Sequence, residues 1–301
     1  MRFGLFGTGP WAHLTHAPAL AAHPDAEFVG VWGRNPDKAA ELAGLFGTRA
    51  YADQDELIAG VDAVAIALPP DVQAPLALRA ARAGRHLLLD KPVAFTNEDA
   101  AAIVAAVTER NLASLVFFTR RLMPQLSGFL AEAAATGGWT EARVDHVGSI
   151  FTDDNPFGAS PWRKESGGLW DVGPHALALV LAVLGPATEV TGMAGPRDTT
   201  HLLVRHAGGT ISDLTLSLDA PLAAEREDAV FVGAAGVLPV PQIPWSPTEA
   251  YGRAIDQIIA AAAGGPPIEL DVRFGAEVTA ILVAAREAIV SGRTVAINPA
   301  R

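Results

Sequence analysis

Asp171 and His175 lie four residues apart in Ser166-Gly167-Gly168-Leu169-Trp170-Asp171-Val172-Gly173-Pro174-His175, which puts a carboxylate and an imidazole on one helix face. Histidine's ordinary pKa suits removal of a hydroxyl proton as hydride leaves the same carbon. Earlier in the chain, Asp90-Lys91-Pro92 follows the apolar run Arg85-His86-Leu87-Leu88-Leu89. A lysine at the carboxyl edge of a parallel sheet stands where ligands of such folds bind, and it can orient a hydroxyl and a nicotinamide. The turn Gly7-Thr8-Gly9-Pro10-Trp11-Ala12 comes directly after an apolar strand. It supplies a tight turn, a close backbone approach and a small residue for strand–helix packing, so a dinucleotide pyrophosphate can sit on the helix N-terminus. Each feature also has a plainer reading: a turn in a Rossmann-like fold that binds no dinucleotide or binds a methyl-donor nucleotide, a solvated lysine, and a helix-face hydrogen bond.

Cofactor choice is read at the end of the second strand, Phe28-Val29-Gly30-Val31-Trp32, which runs into Gly33-Arg34-Asn35. An NAD enzyme normally places an acid there for the ribose 2′-hydroxyl. Here Arg34 stands in its place, with Lys38 one helical turn on, so a 2′-phosphate is favoured and NADP is the expected cofactor, with NAD as the alternative.

The elements that must carry these residues alternate over the first 120 positions, which is the signature of βαβ units. Strands are expected at 2–6, 27–32, 62–67, 86–89 and 113–118, and helices near 12–22, 36–45, 53–59, 71–83 and 97–110, the last capped by Thr96 or Asn97. Beyond Arg121 the pattern changes. A helix near 122–135 and a strand over 139–151 precede a helix from about 170 to 184, then β-like runs at 187–194, 200–206, 210–218 and 228–233 separated by Gly- and Pro-containing turns. A Pro-rich loop, 239–247, and helices near 248–263 and 271–291 close the chain. The expected class is α/β: a Rossmann doubly wound parallel sheet over 1–120, then an α+β substrate-binding and oligomerisation domain over 121–301 with a largely antiparallel, open-faced sheet.

Composition narrows the function classes. The 301 residues are half apolar, enough for a sizeable core. The net charge of −11 argues against a nucleic-acid partner, which requires clustered cations. With no cysteine, disulfides, thiolate metal sites and a cysteine nucleophile are excluded. Apolar stretches at 72–83, 100–107 and 176–184 stop well short of the roughly 20 residues of a membrane span. No secretory leader is read at the N-terminus, so the cytoplasm is the expected compartment. His13 and His16 sit one helical turn apart without a third ligand, so they are read as packing or pocket-rim residues and no metal is expected.

Taken together, the glycine turn, Asp90-Lys91-Pro92 and Gly167-Gly168-Leu169-Trp170-Asp171-Val172-Gly173-Pro174-His175 resemble the Gfo/Idh/MocA family of glucose-fructose oxidoreductase and inositol dehydrogenase-like enzymes. Asp62-Ala63-Val64-Ala65-Ile66-Ala67-Leu68-Pro69, Arg121-Leu122-Met123-Pro124 and Trp162-Arg163 extend the likeness over nearly the whole chain. The resemblance implies that Lys91 bridges substrate and nicotinamide ribose, that Asp171 holds a neighbouring hydroxyl and that His175 takes the proton. It also implies cofactor contacts at Gly7, Gly9, Pro10, Trp11, Ala12, Gly33, Arg34, Asn35, Lys38, Leu68, Pro69, Asp90, Lys91 and Pro92, while Arg121, Trp162 and Arg163 are read as substrate-side residues, with structural salt bridges the equal alternative for the two arginines. Asp90 replaces the usual glutamate, while Gln73 and Ala178 replace a histidine and an aspartate common in the family, changes expected to alter the substrate pocket.

The implied activity is hydride exchange between NADP and a hydroxyl or carbonyl of a small sugar, sugar acid or cyclitol. A dihydrodiol, imine or tetrapyrrole reductase, or an NADP sensor without turnover, is the alternative. The resemblance further implies a homodimer or homotetramer formed through the open sheet face.

Overall fold

The computed structural model describes residues 1–298. In chain order the elements are β1 (Arg2–Phe6), α1 (Ala17–Ala22), β2 (Glu27–Trp32), α2 (Pro36–Leu45), β3 (Arg49–Tyr51), α3 (Gln54–Ala59), β4 (Ala63–Ile66), α4 (Pro70–Arg82), β5 (His86–Asp90), α5 (Asn97–Glu109) and β6 (Ser114–Phe117). They continue with α6 (Pro124–Thr136), β7 (Trp139–Val147), α7 (Pro161–Asp171), α8 (Gly173–Leu184), β8 (Ala187–Ala194), β9 (Thr200–His206), β10 (Ile211–Ser217), β11 (Arg226–Gly233), β12 (Gly236–Pro239), α9 (Pro247–Ala262), α10 (Val272–Ser291) and β13 (Val295–Ala296). A π-helical turn, Ala12–His16, leads into α1.

The chain forms two compact units: Met1–Leu122 with Trp245–Ala276, and Met123–Pro244 with the residues from Glu277 to the end of the described chain. A division into 1–120 and 121–301 therefore misassigns Trp245–Ala276. That segment joins the first unit because α9 buries Tyr251, Ala254, Ile255 and Ile258, and packs on α1, β5 and β6.

The first unit is the expected doubly wound sheet, six parallel strands in the order β3-β2-β1-β4-β5-β6. All four residues of β4 are buried, as are Leu87, Leu88 and Leu89 of β5, the unbroken apolar runs required of strands covered on both faces. Local chemistry sets the helix starts. Asn35, Asp53 and Thr96 each accept from backbone amides one turn ahead, so the helices begin where the sequence places them.

In the second unit seven strands run β12-β11-β7-β10-β9-β8-β13, antiparallel except for the β10–β7 pair. Val144, Leu214, Leu216, Leu202, Val204 and Val190 are buried, and α8 packs on β7 and β10. The expected strand 139–151 ends at Val147, because the amides of Gly148 and Ile150 turn to the carbonyls of Ser217 and Leu218. Strands β3, β12 and β13 and helix α7 are additions to the sequence reading.

The expected helix 170–184 is also more complex. Pro161–Leu184 is long and apolar enough by composition to cross a membrane, yet 72% of its apolar window is buried inside the protein. The backbone breaks inside α7 at Gly167 (φ 65°). A Cβ there would collide with the Asp198 carboxylate, whose Oδ2 accepts from Gly168 N (2.7 Å) and Leu218 N (3.1 Å). Arg197 and Asp198 both adopt left-handed backbone (φ 54° and 59°). Gly168 is equally constrained, since a Cβ would approach the Ser217 backbone to 2.8 Å. This strap therefore sets where the second half of α7 starts, and with it the approach to α8.

Two measurements test this packing. Gly167→Ala combines a strained φ with a collision and should cost more than about 1–3 kcal/mol in denaturant unfolding; a variant as stable as the parent would show that the strap does not constrain this turn. His206 gives a pH signature. Its ring lies between the Gly185 carbonyl (2.7 Å from Nδ1) and the Ser212 hydroxyl (2.6 Å from Nε2). The carbonyl only accepts, so Nδ1–H donates and Nε2 accepts in the neutral ring. Burial pushes its pKa below the ordinary 6.5. Its stabilising contribution is whole above 6.5 and is lost as pH falls through the lower folded-state value. Melting temperature should therefore drop more steeply on acidification below 6.5 in the parent than in His206→Gln; matching slopes would remove His206 from the account.

Candidate active site

In the first unit the chain leaves β1 at Gly7, whose amide donates to Trp32 O (2.9 Å) at the end of β2. Gly7 has φ 131°, and a Cβ would strike the Ala67 carbonyl just past β4. Glycine is thus required where the turn passes between two neighbouring strand ends. No protein atom would lie within 4 Å of a Cβ on Gly9, which leaves that backbone open to close approach. Ala12, wholly buried, begins the π-helical turn beneath it. A tight turn, an open backbone stretch and a helix start fit a dinucleotide pyrophosphate.

The neighbouring positions are more varied. A Cβ on Gly33 would meet the Thr8 side chain, so this glycine makes room for the turn. Arg34 and Lys38 are exposed, whereas the Asn35 side chain is committed to capping α2, accepting from Asp37 N and Lys38 N. Leu68 and Pro69 follow β4 and are half-buried. Asp90 ends β5 and accepts from Trp11 Nε1 (3.3 Å), so Pro10-Trp11 is tied to the strand end that carries Lys91. The Lys91–Pro92 peptide is cis.

Behind this edge lies an aromatic layer that spacing alone does not show. His16 is wholly buried, with its ring 4.2 Å from that of Tyr251 and Nε2 3.5 Å from Asp90 Oδ1. Burial, with Asp90 adding to it, pushes the Tyr251 phenol well above its ordinary 10. Packing is therefore the role of His16.

Two sequence expectations are resolved in this unit. Gln73 was expected to shape the substrate pocket, but it is wholly buried on α4 and hydrogen-bonds the backbone of Asp90 and Pro92. Arg121 had two readings, a substrate-side cation or a structural salt bridge, and its side chain is 5% exposed and reaches Glu269 at 2.6 Å, an ion pair of the second kind. It ties the 3-10 turn after β6 to the returning segment of the same unit.

The second unit holds the other cluster. Asp171 is the last residue of α7 and His175 lies in the first turn of α8, so the four-residue spacing crosses the junction at Val172 rather than lying within one helix. Val172 N still bonds Gly168 O, and Ala176 N bonds Val172 O, which keeps the turn nearly helical. Asp171 is 8% exposed and accepts from Arg163 Nε at 3.0 Å. The Arg163 guanidinium lies 4.6 Å from the centre of the Trp162 ring and 5.4 Å from that of Phe157. Trp162, Arg163 and Asp171 thus form one cationic–aromatic–acidic group.

His175 is half-buried and stacks on His146 of β7, with ring centres 5.9 Å apart and planes 28° apart. Sequence reasoning gave His146 no role, because no local spacing links residues 146 and 175. Ala178, expected to alter the substrate pocket, is wholly buried on α8. Lys91 belongs to the first unit, and Asp171 and His175 to the second.

Comparison with known proteins bears on these halves. Residues 1–118 match the model of the oxidoreductase family with NAD-binding Rossmann fold, and residues 142–238 match the GFO/IDH/MocA C-terminal domain. A dTDP-3,4-didehydro-2,6-dideoxy-alpha-D-glucose 3-reductase of Streptomyces violaceoruber is 30% identical, over 77% of this chain and 69% of its own. Inositol 2-dehydrogenase of Rhizobium meliloti (strain 1021) is 27% identical over 99% of both chains. The fold is shared with the WlbA dehydrogenase from Bordetella pertussis, solved in complex with NADH and UDP-GlcNAcA, at a TM-score of 0.84 and 21% identity over 99% of this chain and 98% of that one. With both halves matched and a relative of this identity aligned over most of its length, the chain belongs to the Gfo/Idh/MocA family of NAD-binding oxidoreductases.

Proposed function

We propose that the protein exchanges hydride between NADP and a hydroxyl, or the corresponding carbonyl, of a small polyhydroxylated molecule: a sugar, sugar acid or cyclitol. The observation that carries this reading is the shared edge of the parallel sheet. The glycine turn after β1 and Lys91 after β5 flank β4 at the carboxyl ends of one sheet, where such folds bind ligands. Inositol and nucleotide-sugar activities in the relatives' names support the substrate class.

In this reading, the backbone of Gly7, Gly9, Pro10, Trp11 and Ala12 holds the pyrophosphate. Exposed Arg34, with Lys38 beside it, meets the 2′-phosphate at the end of β2. Leu68, Pro69 and the Asp90-Lys91-Pro92 corner line the nicotinamide side. When bound, the nicotinamide supplies the hydride acceptor or donor. Lys91 orients the reacting hydroxyl and His175 takes its proton. Asp171, held by Arg163, fixes a neighbouring hydroxyl, and Trp162 offers the apolar face that sugar rings stack on.

The exposed face of the second-unit sheet is the proposed contact between copies of the chain. Met193 (75% exposed) and Leu203 (48% exposed) share that face in the β8–β9 register, beside the paired charges Arg205–Glu189.

A panel of cyclitols, sugars and sugar acids should give NADPH absorbance changes, and His175→Asn should cut kcat roughly 10²–10⁴-fold. Unchanged turnover in that variant would overturn the proton-transfer assignment. Paired titrations should show tighter NADPH than NADH binding, with Arg34→Ala weakening NADPH alone by about 1.5–3 kcal/mol, the range of a charged hydrogen bond. Tighter NADH binding in the parent would reverse the cofactor preference.

A further inference from the structure

Gln73 makes four hydrogen bonds that no function has yet used. It sits one turn into α4, immediately after β4, with its side chain wholly buried. Its Oε1 accepts the backbone amide of Asp90 at 2.9 Å. The two hydrogens on its Nε2 go to the carbonyls of Asp90 (2.7 Å) and Pro92 (3.1 Å), with the Val93 carbonyl at 3.4 Å sharing one of them. One amide side chain therefore grips the backbone on both sides of Lys91.

The grip falls where sheet pairing ends. The β5–β6 register stops at Asp90↔Phe117, so Lys91, Pro92 and Val93 lie beyond the paired strand. Pro92 and Val93 are nonetheless buried, and their carbonyls must be satisfied within the protein. Gln73 meets this need with a group that both donates and accepts, which an apolar or acidic residue of the same length cannot do. Loss of the grip would leave buried carbonyls unmatched and let the Asp90–Val93 corner move, carrying the root of the Lys91 side chain with it.

From this geometry we infer that Gln73 is the positioning residue for Lys91, acting through the backbone of Asp90, Pro92 and Val93. The inference rests on the reading of Lys91 as the cofactor-side lysine. It makes no use of substrate, so it is testable before a substrate is known.

The chain has three lysines, Lys38, Lys91 and Lys164, and the first and last are exposed. Competitive acetylation with trace acetic anhydride, read by mass spectrometry between about pH 7 and 11, follows each ammonium through its titration. Lys164 serves as the internal standard throughout, and Lys38, read as facing the 2′-phosphate, serves as a second standard only in the cofactor-free comparison. In Gln73→Met, which keeps the length and removes the hydrogen bonds, the reactivity profile of Lys91 relative to the standards should shift by at least about threefold, because its electrostatic surroundings change. Gln73→Glu, which keeps the acceptor for the Asp90 amide but turns a carboxylate on three carbonyls, should shift it as well and serves if the methionine variant does not fold. A purely structural role would lower the melting temperature and leave the Lys91 profile superimposable on the parent's, and that result would overturn the inference. The underlying reading fails separately: NADPH should protect Lys91 of the parent from acetylation, and absence of protection would reject the cofactor-side lysine whatever Gln73 does.

Discussion

Strand register in the parallel sheet is the constraint on which the cofactor half depends. Phe6 is level with Ile66, and Ile66 with Leu89, so β1 and β4 end level at Gly7 and Ala67 and β5 runs one residue further, to Asp90. This coincidence brings the glycine turn and Lys91 to one edge, and it sets the price of the turn, because the Ala67 carbonyl fills the space a side chain on Gly7 would need. A slip of one residue in β4 would turn its buried residues to the opposite faces and move that carbonyl away. The site therefore follows from packing the interior strands in a single register.

Polar accounting at that edge explains the residues around it. A carboxylate at the end of a buried strand is costly unless it is met by donors. Asp90 receives Trp11 Nε1 and faces His16 Nε2, and its backbone is taken up by Gln73. The π-helical turn Ala12–His16 positions both aromatic partners, Trp11 as the residue that caps it and His16 as its last residue. The same stretch that leads from the glycine turn into α1 also partners the strand end that bears Lys91.

The second unit reaches its arrangement by strain rather than register. Left-handed Arg197 and Asp198 each cost about 1–3 kcal/mol as non-glycine residues. The two backbone bonds to the Asp198 carboxylate and the Arg197 contacts with Asp219 (2.8 Å to its carbonyl, 3.2 Å to Oδ1) offset that cost. Burial pushes the Asp198 carboxyl above its ordinary 3.8, the mark of a charge held inside for geometric reasons. In return the chain turns sharply at Gly167, and Asp171 and His175 follow on successive helices.

Much of this was legible in the sequence, and the divide follows interaction range. Strands β1, β2, β8 and β9, helix α2 and the Thr96 cap of α5 follow from side-chain period and capping chemistry, which act within about four residues. The glycine turn, the Arg34 loop and the motif order that identified the family are equally local. Where a side chain serves a distant backbone, spacing carries no signal. Gln73 lies 17 residues from Asp90, Arg121 lies 148 from Glu269, and Asp198 lies 30 from Gly168. The return of Trp245–Ala276 to the first unit and the stacking of His146 on His175 are of the same kind. Sequence alone determined which residue types are available for chemistry and most of the elements they ride on, though not the break that puts Asp171 and His175 on separate helices. Tertiary packing decided which buried groups hold them in place, because those partners are chosen by what the folded core leaves unsatisfied.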